Sequence, residues 1–154
     1  MLASSRGFTL IEVLVATAVF VTAVLALAQL VGFATRSDRV AHGLTLAGAL
    51  AAERLEQLES VAGSAARASP PGTLDRDTPG FVDYFDDQGR WVGGGPALPV
   101  GARFVRRWAV TRLSTDPPNL LRLEAVVLPV RSHDATTATY IWAHVAGVRV
   151  GTWD

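Results

Sequence analysis

Cysteine and lysine are both absent from this chain of 154 residues. Without cysteine, the chain can form no disulfide bond, carry out no thiolate chemistry and bind no zinc through sulfur. The three histidines, His42, His133 and His144, do not stand at helical ligand spacing, which argues against a histidine metal site. The 14 basic residues, all arginine, balance 14 acidic ones, so no net charge attracts nucleic acid or anionic lipid.

Charge is also scarce near the N-terminus. In the 27 residues from Phe8 to Ala34, Glu12 is the only ionisable residue. A helix of that length rises about 40 Å, which is enough to cross a hydrocarbon core of about 30 Å. The apolar core of a secretory signal peptide is only about 7 to 15 residues long and ends at a small-residue cleavage site, which this run lacks. The run therefore predicts a transmembrane helix.

Glu12 needs an explanation, because a carboxylate inside a membrane costs about 2.5–3.5 kcal/mol near the bilayer centre. One explanation is a position at the interface, where the helix dipole offsets about 0.3–1 kcal/mol of that cost. Another is local, because Thr9 lies three residues earlier, at the spacing of a capping box. An intramembrane acid is by default a functional residue, and the neighbouring sequence favours that interpretation.

The segment RGFTLIEV, Arg6 to Val13, follows a short basic leader, MLASSR, that has no apolar core. This arrangement resembles the prepilin-type cleavage and methylation signature of type IV pilins, minor pilins and type II secretion pseudopilins. The signature is specific: a basic leader that ends in glycine, then phenylalanine, then glutamate at the fifth mature position of an apolar helix.

The resemblance implies that a prepilin peptidase cuts between Gly7 and Phe8 and methylates the new Phe8 amine. It also implies that Glu12 engages the amine of a neighbouring subunit. Cleavage turns a neutral amide into a cation, which Glu12 can neutralise in a medium of low dielectric constant. Phe8 and Glu12 are one helical turn apart, so pairing within one chain stays open. Gly7 has no Cβ, which allows a protease close to the backbone.

A second helical pattern follows the apolar run. Apolar residues recur every three or four positions, at Val40, Leu44, Ala47, Ala51, Leu55, Leu58 and Ala62. No proline lies between Phe8 and Ser69, so both patterns predict one helix from Phe8 to about Ser60. The polar linker from Ser64 to Gly80 is rich in proline and glycine, which predicts irregular structure.

Four later segments have the residue pattern of β-strands bounded by turns: 81–85, 102–113, 120–131 and 139–150. In the third, Leu121, Leu123, Ala125 and Val127 share one face while Arg122 and Glu124 point the other way. That alternation predicts a half-buried antiparallel strand. The apolar face of the sheet and the apolar stripe of the helix each need a partner, so we expect them to pack together.

These elements predict an α+β fold, the pilin-like roll, with a long N-terminal helix on an antiparallel sheet. The expected parts are a leader peptide (1–7), a transmembrane and assembly half of the helix (8–34), its amphipathic half (35–62), and a linker with the β-sheet head (63–154). Gln29 stands where major pilins usually have proline. The segments AAERLEQLES, FVRRWAV and DPPNLLRLEAVV resemble minor pilins of the type IV pilus modification type and the type II secretion minor pseudopilin I.

Two loops of the head allow sharper interpretations. Asp83, Asp86 and Asp87 could bind calcium, but they lack the EF-hand spacing, and acidic turns are common. The glycine run 93–95 has no lysine or helix after it, so it is interpreted as a loop and not as a phosphate site.

Arg106, Arg107 and Trp108 could bind single-stranded nucleic acid, as a DNA-uptake minor pilin would. Solvated strand charges beside a buried tryptophan are the simpler interpretation, so nucleic acid is not expected as a partner.

The resemblance implies a structural assembly subunit, a minor pilin or pseudopilin, and no enzyme or cofactor. The sequence contains no G-x-S-x-G nucleophile motif. Expected partners are prepilin peptidase, other pilin or pseudopilin subunits, the inner-membrane assembly platform and membrane lipid. The implied location is the bacterial inner membrane, with a single pass and the head in the periplasm, and then the filament or its tip. The alternative is a singly anchored periplasmic binding domain that does not polymerise.

Overall fold

The computed structural model describes residues 8–61, 67–113, 120–130 and 141–150. Its first element is helix α1, Leu10–Val61, which confirms the single long helix expected from the sequence. The chain divides into two compact units, Met1–Ala41 and His42–Asp154, and α1 contributes to both. The first unit is helical throughout its described part after Thr9, because leucine, alanine and valine fill it and no proline interrupts it.

The second unit contains a five-stranded antiparallel sheet in the order β2-β1-β3-β4-β5. Its strands are β1 Val82–Phe85, β2 Trp91–Gly94, β3 Phe104–Leu113, β4 Leu120–Pro129 and β5 Ala143–Val150. The four predicted strands are present; β5 begins at Ala143, and its predicted start at Thr139 lies outside the described residues. The turn expected between the second and third predicted strands and the helix position Ala62 lie outside the described residues.

Strand β2 was not predicted, and the interpretation of Gly93 and Gly94 as loop residues was wrong. Both glycines pair with β1, while Gly95 beyond them has a φ of 101°. The preceding turn places β2: Asp86 Oδ1 accepts hydrogen bonds from the backbone N–H groups of Gln88 and Arg90, each at 2.9 Å. Because two of its four residues are glycine, β2 has low intrinsic β-propensity. The turn at Asp86 therefore helps to position it beside β1.

The amphipathic end of α1 packs on one face of the sheet, as the sequence predicted. Ala47, Leu50 and Ala51 are buried there, and Leu55 and Leu58 are half-buried against Val110, Leu121 and Leu123. The other contacts of this front face come from Leu46, Phe85, Phe104, Val127, Trp142, Ala143 and Val145. The predicted stripe was wrong at Val40 and Leu44, which are 47% and 44% exposed. Gly43, one residue before Leu44, is buried in its place.

Gly43 lets the indole of Trp142 lie directly against the helix backbone. A Cβ at residue 43 would come within 2.3 Å of Trp142 Cζ3, whereas a Cβ at Gly48 would meet nothing within 4 Å. We expect Gly43→Ala to displace Trp142 from its edge-on contact with Phe104 and to lower the thermal midpoint of the head. Gly48→Ala should raise stability by up to about 1 kcal/mol through helix propensity. Near-UV circular dichroism of the full chain in detergent measures both, and equal midpoints for the two variants would contradict the prediction.

The back face of the sheet is also covered, so the half-buried interpretation of β4 was wrong for part of the strand. Val126 and Leu128 are 2% and 6% exposed, and Glu124 is 8% exposed. Val126 and Leu128, together with Val82, Tyr84 and Val105, form a second core under Leu74, Val92 and Ala102. The described part of the linker, residues 67–80, is irregular, as predicted, and it supplies Leu74 to this second layer.

Asp77 attaches the linker to the sheet. Its carboxylate accepts hydrogen bonds from Tyr84 Oη at 2.8 Å and from Arg107 Nε at 2.8 Å. The Arg107 and Asp77 side chains are 4% and 9% exposed, and Arg107 also donates to the carbonyl oxygen of Leu74 at 3.3 Å. This buried ion pair therefore links the linker to β1 and β3.

Burial, reinforced by the hydrogen bond to Asp77, raises the pKa of the Tyr84 phenol above its usual value. Above about pH 10 the unfolded chain loses this proton while the folded chain keeps it. We therefore expect the free energy of unfolding to fall as pH rises above about 10, by up to about 1.4 kcal/mol per pH unit. Urea titrations between pH 8 and 11 should show a steeper loss for the natural chain than for Tyr84→Phe; identical slopes would contradict this.

Candidate functional site

The first turn of α1 is closed by a reciprocal cap, as the spacing of Thr9 and Glu12 predicted. Thr9 N–H and Thr9 Oγ1 both donate to Glu12 Oε2 at 2.9 Å, and Glu12 N–H donates to Thr9 Oγ1 at 3.4 Å. These bonds satisfy backbone donors that the helix itself leaves unpaired at its start. They also hold the Glu12 carboxylate at the N-terminal end of the helix.

The Glu12 carboxylate keeps capacity for a further partner. Both of its hydrogen bonds end on Oε2, and within residues 8–61 and the other described ranges Oε1 accepts none. Phe8, just outside the cap, is 87% exposed. Thr9 N–H, and not Phe8 N–H, is the backbone donor to Glu12. The geometry thus presents an anion with an available oxygen. Gly7, the other residue of the predicted cleavage site, lies outside the described residues.

The apolar part of α1 exposes its side chains throughout the first unit. Leu10, Ile11, Leu14 and Phe20 are among the large hydrophobic residues that are more than half exposed. The threonine hydroxyls of this part donate to backbone carbonyls one turn earlier: Thr17 to Val13, Thr22 to Ala18 and Thr35 to Val31. A helix with satisfied hydroxyls and an apolar surface is compatible with lipid. Its length and composition suffice to cross a membrane.

Gln29 is a further polar residue of this segment, and no function was predicted for it from the sequence. Its side chain is exposed, and its amide has no hydrogen-bond partner among the residues that the structure describes. The signal was already in the sequence, because Gln29 and Glu12 are the two polar side chains of the apolar run that are not hydroxyls.

The interpretation of Arg106 and Arg107 as solvated strand charges was wrong, and their position also argues against a nucleic-acid surface on this strand. Each is only 4% exposed. Arg106 donates to Asp83 at 2.9 Å, to Glu53 at 3.3 Å and to the carbonyl oxygen of Leu50 at 2.9 Å. Its guanidinium therefore joins α1 to β1 beneath the helix.

Trp108 is buried, as expected, at 5% exposure. The guanidinium of Arg54 lies 3.6 Å above its ring, on the helix side of the sheet. Such cation–π stacking contributes about 0.5–2 kcal/mol. Arg54, which was predicted to lie on the polar face of the helix, therefore helps to attach α1 to the sheet.

Two of the three aspartates considered for calcium, Asp83 and Asp86, have other partners, and Asp87 is exposed. Asp83 pairs with Arg106 and accepts a bond from Trp91 Nε1 at 3.3 Å. Asp86 pairs with Arg90 at 3.2 Å, and the backbone N–H of Arg90 helps to lower the pKa of Asp86. In the described ranges, no group of three or more metal-binding side chains is placed to hold an ion.

The comparisons with known proteins identify the N-terminal segment. The family model described as the prokaryotic N-terminal methylation motif matches residues 2–28. No curated protein and no solved structure matches the chain. The motif and the long apolar helix support a pilin-like protein with a single-pass membrane anchor. The N-terminal segment of this chain therefore carries the prokaryotic N-terminal methylation motif, which supports the resemblance to the prepilin-type cleavage and methylation family.

Proposed function

We propose that this protein is a minor pilin or pseudopilin, a structural subunit that prepilin peptidase processes and that joins or primes a type IV pilus or a type II secretion pseudopilus. The observation that carries the proposal is the capped Glu12 carboxylate at the start of an exposed apolar helix, inside the methylation motif. Neither the motif nor the cap involves catalysis, so we propose no enzymatic activity.

In this proposal, residues 1–7 are the leader and residues 8–34 span the membrane and later line the filament. Residues 35–62 form the amphipathic half of the helix, and 63–154 form the linker and the periplasmic head. Cleavage creates an ammonium group on Phe8. Oε1 of Glu12, which accepts no hydrogen bond in the described ranges, can pair with the Phe8 ammonium of a neighbouring subunit. Opposite charges that meet in an apolar environment remove each other's desolvation cost, so processing permits assembly.

The resemblance of the head segments favours one kind of subunit in each machine: a type IV pilus modification subunit in the pilus, or the minor pseudopilin I in type II secretion. A DNA-uptake role on β3 loses support because Arg106 and Arg107 are buried in ion pairs. The assembly platform, other subunits and lipid are the proposed partners.

Co-expression with a prepilin peptidase should remove residues 1–7 and leave one methyl group on the Phe8 amine. Mass spectrometry of the intact chain and of its N-terminal peptide measures both changes. Gly7→Val should remain uncut, because a branched side chain blocks close approach of the protease to the backbone. A natural chain that keeps its leader in this assay would refute the proposed processing.

A further inference from the structure

We propose that Gln29 pairs two copies of this chain within the membrane, through an amide–amide hydrogen bond between their helices. The inference rests on the membrane-spanning part of the proposed function, but it requires neither cleavage nor filament assembly.

The position of Gln29 along the first unit places it within the hydrocarbon. No ionisable residue lies between Glu12 and Arg36, and the middle of that stretch is residue 24. Gln29 is five residues further on, about 8 Å along the helix axis. When the stretch is centred in a bilayer with a half-thickness of about 15 Å, the Gln29 amide lies below the headgroups.

An amide at that depth requires a partner from another helix. Thr17, Thr22 and Thr35 satisfy their hydroxyls on their own backbone. Gln29 has no such bond within the described ranges, and its side chain is exposed on the helix surface. Because hydrocarbon offers no water, an unpaired amide there carries a desolvation cost that an interhelical hydrogen bond removes.

A second copy of the chain provides a matching partner. A carboxamide is both donor and acceptor, so two of them are complementary. Parallel copies inserted in the same orientation bring Gln29 to the same depth in each helix, whereas Glu12 is 17 residues away, about 25 Å. Ala26 and Gly32 lie one turn before and after Gln29 on the same side, and a Cβ at Gly32 would meet nothing within 4 Å. Small residues at these positions allow close approach of the second helix.

The absence of cysteine makes a clean cross-linking experiment available. Full-length Ala26→Cys would be expressed in bacterial inner membranes that contain no prepilin peptidase, and then oxidised. We expect disulfide-linked dimers, and few with Leu27→Cys, which lies on roughly the opposite side of the helix from Gln29. Adding Gln29→Leu should lower the dimer fraction about threefold or more. Adding Thr22→Val, which removes an internally bonded hydroxyl, should leave it unchanged.

Three results would overturn the inference: no dimer of Ala26→Cys, equal dimer from Leu27→Cys, or a dimer that does not respond to Gln29→Leu. Cross-linking to a different protein alone would refute the second copy as the partner. If pairing fails while the chain is still cut before Phe8 in the peptidase assay, the proposed function stands without this inference. If the two copies pair but the chain is never cut in the peptidase assay, the inference stands and the proposed function fails.

Discussion

Replacement of Glu12 by glutamine is expected to abolish incorporation into filaments while the chain is still cut before Phe8 and stays in the membrane. Glutamine can accept the same two hydrogen bonds from Thr9, so the cap at the helix start survives. What the variant loses is the negative charge, and with it the attraction to the new amine of a neighbouring subunit. Each 1.4 kcal/mol lost from that contact lowers occupancy about tenfold, and a charge pair in an apolar setting contributes several kcal/mol.

The experiment compares sheared filament fractions and membrane fractions in a host that has its own assembly machinery. Glu12→Ala, which removes the charge and the cap together, should be incorporated no better than Glu12→Gln. Glu56→Gln removes an exposed acid elsewhere on the same helix and should be incorporated normally. Normal incorporation of Glu12→Gln would show that charge pairing does not drive assembly. Absence of the natural chain from the filament fraction would favour an anchored domain that does not polymerise.

Replacement of Asp77 by alanine is expected to destabilise the head by about 3–5 kcal/mol, the usual cost of leaving one member of a buried ion pair without its partner. Arg107 would lose its ion pair and keep the hydrogen bond to the carbonyl oxygen of Leu74, at 3.3 Å, and Tyr84 Oη would lose its acceptor. The linker would keep Leu74 in the second core and the hydrogen bonds between Ser69 and Val110 of β3. Chemical denaturation of the full chain in detergent, followed by near-UV circular dichroism, measures the loss.

Asp75→Ala is the matched control, because Asp75 is an exposed acid two residues away in the same linker. Its substitution should change stability by less than about 0.5 kcal/mol. Similar losses for the two variants would mean that charge in the linker, and not the contact with Arg107, determines stability. The double variant Asp77→Ala with Arg107→Met should recover part of the lost stability, since no buried charge then remains unpaired.

The elements that local pattern determines were predicted from the sequence. The long helix, the strands now named β1, β3, β4 and β5, and the cap between Thr9 and Glu12 all follow from periodicity, proline positions and fixed spacings. The packing of the helix on the sheet followed from two apolar surfaces that each needed a partner.

The features that were missed depend on distant residues. Arg107 reads as a solvated charge until Asp77, 30 positions earlier in the chain, is placed beside it. Likewise, Arg106 meets Glu53 and Leu50 across the interface between helix and sheet, a contact that no spacing along one strand reveals. Strand β2 is too short and too rich in glycine for its residue pattern to identify it.

The order of the strands bears on how the head can fold while its chain is being synthesised. Three of the four strand pairings join strands that follow one another in sequence: β1 with β2, β3 with β4, and β4 with β5. Short loop closures have a low entropic cost, so hairpins can form one after another as residues appear. Helix residues such as Leu50 are made first and stay uncovered until β3 and β4 follow, so a chain arrested before residue 120 would expose these apolar side chains and be prone to aggregate.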